Sequence, residues 1–119
     1  MLLPRKQGEA AERRARLHLE SLGLRFVCAN YHCRMGEIDL IMREKEAIVF
    51  VEVRQRKHSA YGGALASVTP RKQKRIIQAA RHYLQKTAID APARFDVVAI
   101  ESGQRLHWIR DAFRADDYS

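Results

Sequence analysis

Cysteine is scarce: Cys28 and Cys33 are the only two in 119 residues. A disulfide framework is therefore excluded. A four-ligand zinc site would need partners that the five scattered histidines, at 18, 32, 58, 82 and 107, do not supply at metal-binding spacing. Two reduced thiols with structural roles are expected, with zinc on Cys28, Cys33 and His32 as the weaker alternative. No apolar run approaches the roughly 20 residues of a membrane span, and the opening MLLPRKQGE lacks the apolar stretch of a secretory signal. A cytoplasmic protein is expected. Internal repeats, low-complexity tracts and linkers are also missing, so residues 1–119 read as one domain with a modest core. Acidic residues are outnumbered, 14 against 22 Lys and Arg, giving a net charge of +8 and a pI near 10.0. Such a surface attracts polyanions, with nucleic acid as the expected partner and an acidic membrane surface second.

What is present falls into a simple order of elements. Arg5 to Leu22 reads as a helix stopped by Gly23, and Arg25 to Ala29 as a strand before a turn at Asn30-Tyr31-His32. Glu37 to Arg43 and Ala47 to Arg54 read as two strands, followed by the Gly62-Gly63 loop QRKHSAYGGALASV. Thr69-Pro70 opens a second helix, Thr as N-cap and Pro at the first helical position, running to about Lys86. Arg94 to Glu101 and Leu106 to Arg110 close the chain as strands. The order α-β-β-β-α-β-β predicts an α/β domain, a central mixed β-sheet flanked by helices.

Within GEIDLIMREKEAIVFVEVRQR, Gly36 to Arg56, Asp39 and Glu52 interrupt strands that otherwise read as buried. Side chains alternate between the faces of a strand. The register that pairs Arg43 with Ile48 and Ile41 with Phe50 also sets Asp39 opposite Glu52, whereas a shift of one residue would send Glu52 to the other face. Facing carboxylates repel, so a positive group must lie between them. Magnesium or manganese fits, because these hard cations take carboxylate oxygens and keep waters for a phosphate. Arg54, on the same face as Glu52, would meet that phosphate. The competing reading is a buried salt-bridge cluster in which Arg54 or Arg34 neutralises the acids.

The helices add to this. Gly8, Glu12, Ala15, Leu19 and Leu22 form the stripe of the first helix expected to face the sheet, so Glu12 is either a third acid of the site or a rim residue paired with a nearby cation. The second helix sets Ile76, Ile77, Ala80, Tyr83 and Leu84 inward, with Gln73 continuing that stripe. Arg71, Lys72, Lys74 and Arg75 crowd its first turns, where the helix dipole favours an anion. With Arg54, Arg56 and Lys57 they form the expected nucleic-acid surface, Arg54, Arg56, Lys57, Arg71, Lys72, Gln73 and Arg75, contacting backbone phosphates without reading bases. His58 is a further candidate contact. Asp96 reads as a structural salt-bridge residue, and Gln78 and Tyr83 lie on different helix faces and carry no shared role.

GEIDLIM followed by VFVEVRQR, with GEAAERRA upstream and YGGALASVTPRKQ, RFDVVAI and WIRDAF downstream, resembles the YraN family of small bacterial proteins from about Gly8 to Phe113. That resemblance implies the restriction-endonuclease-like fold of the PD-(D/E)XK nucleases, similar to archaeal Holliday junction resolvases. It further implies metal-dependent endonucleolytic hydrolysis of DNA phosphodiesters, with junction or branched DNA as a candidate substrate. Carried over by motif, Asp39 and Glu52 are the metal-binding acids, Glu12 binds the metal or its water, and Arg54 takes the place of the motif's lysine. Ile38 stands where the motif has proline. An arginine is not a base in proteins. Arg54 can clamp a phosphate, and generating the attacking hydroxide is then left to the metal. The alternative function is a catalytically inactive DNA-binding module with the same fold, and a weaker one is a factor whose basic face meets an acidic protein. A homodimer would suit the cutting of two strands.

Overall fold

The computed structural model describes residues 3–56, 63–101 and 105–118. Alternation along the central strand dictates its layers. Ile48 and Phe50 join one apolar cluster and Val49 and Val51 another, so both faces of the sheet need a cover. Helix α1 (Leu3–Ser21) covers one face and α3 (Pro70–Thr87) the other, around strands β1 (Arg25–Cys33), β2 (Gly36–Glu44), β3 (Ala47–Arg56), β4 (Ala93–Glu101) and β5 (Leu106–Phe113). A one-turn helix α2 (Gly63–Ala66) precedes α3, and a 3-10 turn (Ala115–Tyr118) follows β5. The five strands lie in sequence order, antiparallel except for the parallel pair β3–β4. This is the expected α/β architecture, with its mixed sheet and order α-β-β-β-α-β-β. No helix among the described residues is long and apolar enough to cross a membrane.

Local chemistry explains the element ends. α1 stops at Gly23, whose φ of 103° is open only to a residue without Cβ. Its buried stripe is Ala11, Ala15 and Leu19, while Gly8 is exposed and Leu22 is 52% exposed. Leu22 was expected inside; it falls beyond the last helical residue, where the 3.6-residue repeat no longer carries it inward. β1 runs past the expected turn: Asn30 adopts φ 54°, and Ala29 and Tyr31 on either side of it stay paired with Leu40 and Ile38 of β2. Cys28 and Cys33 thus lie in one strand, both free, and both packed on the α3-side core. Burial pushes the Cys28 thiol up, which makes it a poor nucleophile.

Two features fix the frame. Asp96, fully buried, accepts hydrogen bonds from Arg94, from Trp108 Nε1 at 2.8 Å and from the Asp111 N–H at 2.9 Å. Arg94 continues to Glu44 at 2.7 Å, so β2, β4 and β5 are tied at one end of the sheet. At the other end Gly36 lies so close to α3 that a Cβ there would sit 2.7 Å from the Arg75 carbonyl oxygen. Helix and strand approach at backbone distance.

Candidate active site

The β2–β3 ladder has the register expected from the apolar residues, Ile41 with Phe50 and Arg43 with Ile48. Its last pair is Leu40 with Val51. Beyond it the strands part, and the Asp39 carboxylate fills the gap: Oδ2 accepts the Val53 N–H at 2.8 Å. Asp39 and Glu52 line the same cleft, and each carboxyl bears on the other's protonation. Glu52 is 4% exposed. Burial first, then the Asp39 charge, pushes its carboxyl up to about 7 against the pull of Lys72. Burial likewise pushes Asp39 up to about 6, opposed by the Val53 N–H and reinforced by Glu12.

The cations come from two elements. Arg54, two residues beyond Glu52 on the α3-covered face, brings Nη1 to 3.5 Å from Glu52 Oε2, and its Nε–H donates to Ser67 Oγ at 3.0 Å. Lys72 comes closer, with Nζ 2.9 Å from the same oxygen. It arrives there because β3 and β4 are parallel: the connecting α3 must return along the sheet, which sets its first turn over the C-terminal end of β3. Thr69 caps that turn, its Oγ1 accepting the Lys72 N–H at 3.2 Å. Glu12 of α1, Asp39, Glu52, Arg54 and Lys72 together line one cleft of about 180 Å³.

The structure therefore brings Glu12, Asp39, Glu52 and Arg54 together, as the sequence suggested. Arg71 and Arg75 line an adjoining cavity of about 380 Å³ with Lys72 and His32. Gln73 is turned another way, its amide nitrogen donating to the Val68 carbonyl at 2.9 Å and bracing the start of α3. Arg56 ends β3, with its side chain outside the described residues, and Lys57 and His58 lie outside them altogether. Arg34, considered as the neutralising cation, is exposed. Lys72 takes that part, a role missed in the sequence. The signal that could have found it is the βαβ connection, which places a helix start at a strand's C-terminal end.

Among the described residues no group of three or more His, Cys, Asp or Glu is set to hold a metal ion. The donor set is the carboxylate pair, with Glu12 lining the same cleft. Two oxygen donors held face to face suit a hard cation such as magnesium, which binds through one or two carboxylates and keeps several waters. They would not suit zinc or copper, which favour nitrogen and sulfur.

Comparison with known proteins gives one consistent result. The model of the uncharacterised protein family UPF0102 matches residues 11–100. A UPF0102 protein of Nitrosococcus oceani is 51% identical over 117 residues, covering 94% of each chain. Another, from Cupriavidus pinatubonensis, is 54% identical over 111 residues, 92% of this chain and 87% of its own. A third, from Alkalilimnicola ehrlichii, is 53% identical over 110 residues, 91% of this chain and 86% of its own. The chain belongs to the UPF0102 family, the YraN family that its strand motifs resemble.

Proposed function

We propose that the protein is a metal-dependent DNA endonuclease of the restriction-endonuclease-like type, hydrolysing phosphodiesters in branched or junction DNA. The observation that carries this reading is the Asp39–Glu52 carboxylate pair at the parted end of β2 and β3, Glu52 buried and Asp39 half-buried, lining one cleft with Glu12, Arg54 and Lys72. A fold gains little stability from two carboxyls raised by burial; a site that must hold a dication gains a place for it. Asp39 and Glu52 would hold magnesium or manganese, which when bound lowers the pKa of a water and offsets charge on the phosphate. Asp39 is oriented by the Val53 N–H and Glu52 by Lys72 and Arg54. The planar guanidinium fork of Arg54 is suited to gripping a phosphate oxygen. The net charge of +8 supplies the attraction for the DNA backbone.

The test is cleavage of end-labelled single strands, duplexes, flaps and four-way junctions in magnesium, manganese or EDTA, beside Asp39→Asn and Glu52→Gln. Metal-dependent cutting should occur in the wild type and fall at least about 100-fold in both variants. Binding without cutting in every metal, the same in both variants, would instead identify a DNA-binding module on this fold.

A further inference from the structure

We infer that Lys72, carried by α3 rather than by the strand of Glu52, supplies the ammonium that meets the scissile phosphate. This rests on the nuclease reading and deepens it. Lys72 Nζ and Arg54 Nη1 address the same oxygen, Glu52 Oε2, at 2.9 and 3.5 Å. Arg54 is restrained, its Nε bonded to Ser67 Oγ, so one edge of its planar fork is turned to the connection before α3. Lys72 is placed otherwise. Its side chain is 42% exposed, and an ammonium carries three donors, of which Glu52 takes one.

Its position also joins two spaces. Lys72 lines both the carboxylate cleft and the adjoining cavity that Arg71 and Arg75 border. A nucleic-acid strand whose reacting phosphate lies over Asp39 and Glu52 meets Lys72 there, and its next phosphate meets the two arginines. The mount is stiff: Thr69 caps the turn, Gln73 is bonded to Val68, and Gly36 packs against the Arg75 carbonyl. A charge fixed before the reaction needs no reorganisation during it, which is what makes such groups effective. In the absence of substrate and metal the same ammonium offsets the charge of Glu52. With a dication held by the carboxylate pair, Lys72 would no longer be needed to offset Glu52, and its donors would be free for the phosphate.

The experiment compares wild type, Lys72→Met, Arg54→Lys and the double variant by single-turnover cleavage of labelled branched DNA, by DNA binding across salt, and by manganese titration calorimetry. Lys72→Met should cut about 100-fold more slowly, the loss typical of one removed charge-stabilising donor. Its salt dependence of binding should fall by about one ion, so that the loss of affinity is largest at low salt and shrinks as salt rises. Manganese should bind Lys72→Met more tightly than wild type, because the competing ammonium is gone. The double variant should recover at least about tenfold of the lost rate, since a lysine at position 54 addresses the same Glu52 oxygen; a scaffolding role for Lys72 would give no such rescue. Thermal unfolding confirms that each variant is folded, as expected for a half-exposed side chain. Cleavage by Lys72→Met within about threefold of wild type would overturn the proposal, as would a loss that Arg54→Lys does not repair together with unchanged manganese binding. A wild type that cuts nothing in any metal would overturn the nuclease reading itself, and this proposal with it.

Discussion

Replacing Glu52 by glutamine should stabilise the metal-free protein at alkaline pH while removing its activity. The Glu52 carboxyl lies at about 7 in the folded chain against an ordinary 4.5, raised chiefly by burial and next by Asp39. A raised folded value means that its contribution to stability is complete below pH 4.5 and is lost as pH rises through about 7. At about 1.4 kcal/mol per pH unit, the loss approaches about 3 kcal/mol near pH 8.5. Glutamine has the shape of the protonated acid and no charge to acquire as pH rises, so it escapes the loss. About 1 kcal/mol moves Tm by about 3–6 °C in a domain of this size, which places Glu52→Gln about 10 °C above wild type at pH 8.5 in EDTA. The gap should close toward pH 5. Far-UV circular dichroism melts across that range measure it, and adding manganese at pH 8.5 should raise the wild-type Tm but not that of the variant. A variant that melts at or below wild type at pH 8.5, or a gap that widens toward pH 5, would refute the reasoning.

The frame around the site gives two further expectations. Asp96→Asn removes the buried charge that receives Arg94, Trp108 and the Asp111 N–H, and should cost about 3–5 kcal/mol in urea unfolding, as breaking a buried ion pair does. Gly36→Ala forces a methyl to within 2.7 Å of the Arg75 carbonyl oxygen; overpacking of about 1–3 kcal/mol should appear as a lower Tm, and the displaced α3 should slow cleavage by shifting Lys72.

Much of this was legible before any coordinates. The register of β2 on β3 followed from pairing Ile41 with Phe50, because a one-residue slip would have turned a whole apolar set to the wrong face. Asp39 and Glu52 came with it. The start of α3 was equally readable, since Thr69 and Pro70 are chosen by local backbone chemistry alone. Where reading failed, the deciding interaction was not local. β1 continues through Asn30, which sequence propensity marks as a turn, because pairing with β2 holds it extended on both sides. Leu22 looked like a core residue by spacing and is exposed because the helix ends before it.

Element order, the two apolar faces of the sheet and the β2–β3 register that brings the two acids to one end of the ladder depend on periodicities a strand or helix carries wherever it goes. Packing in three dimensions set β4 beside and parallel to β3, so that α3 begins next to Glu52 and an ammonium 20 residues along the chain reaches that carboxylate. The β-α-β order allows a parallel pair, but which strand β4 lies beside depends on which surfaces bury each other in three dimensions.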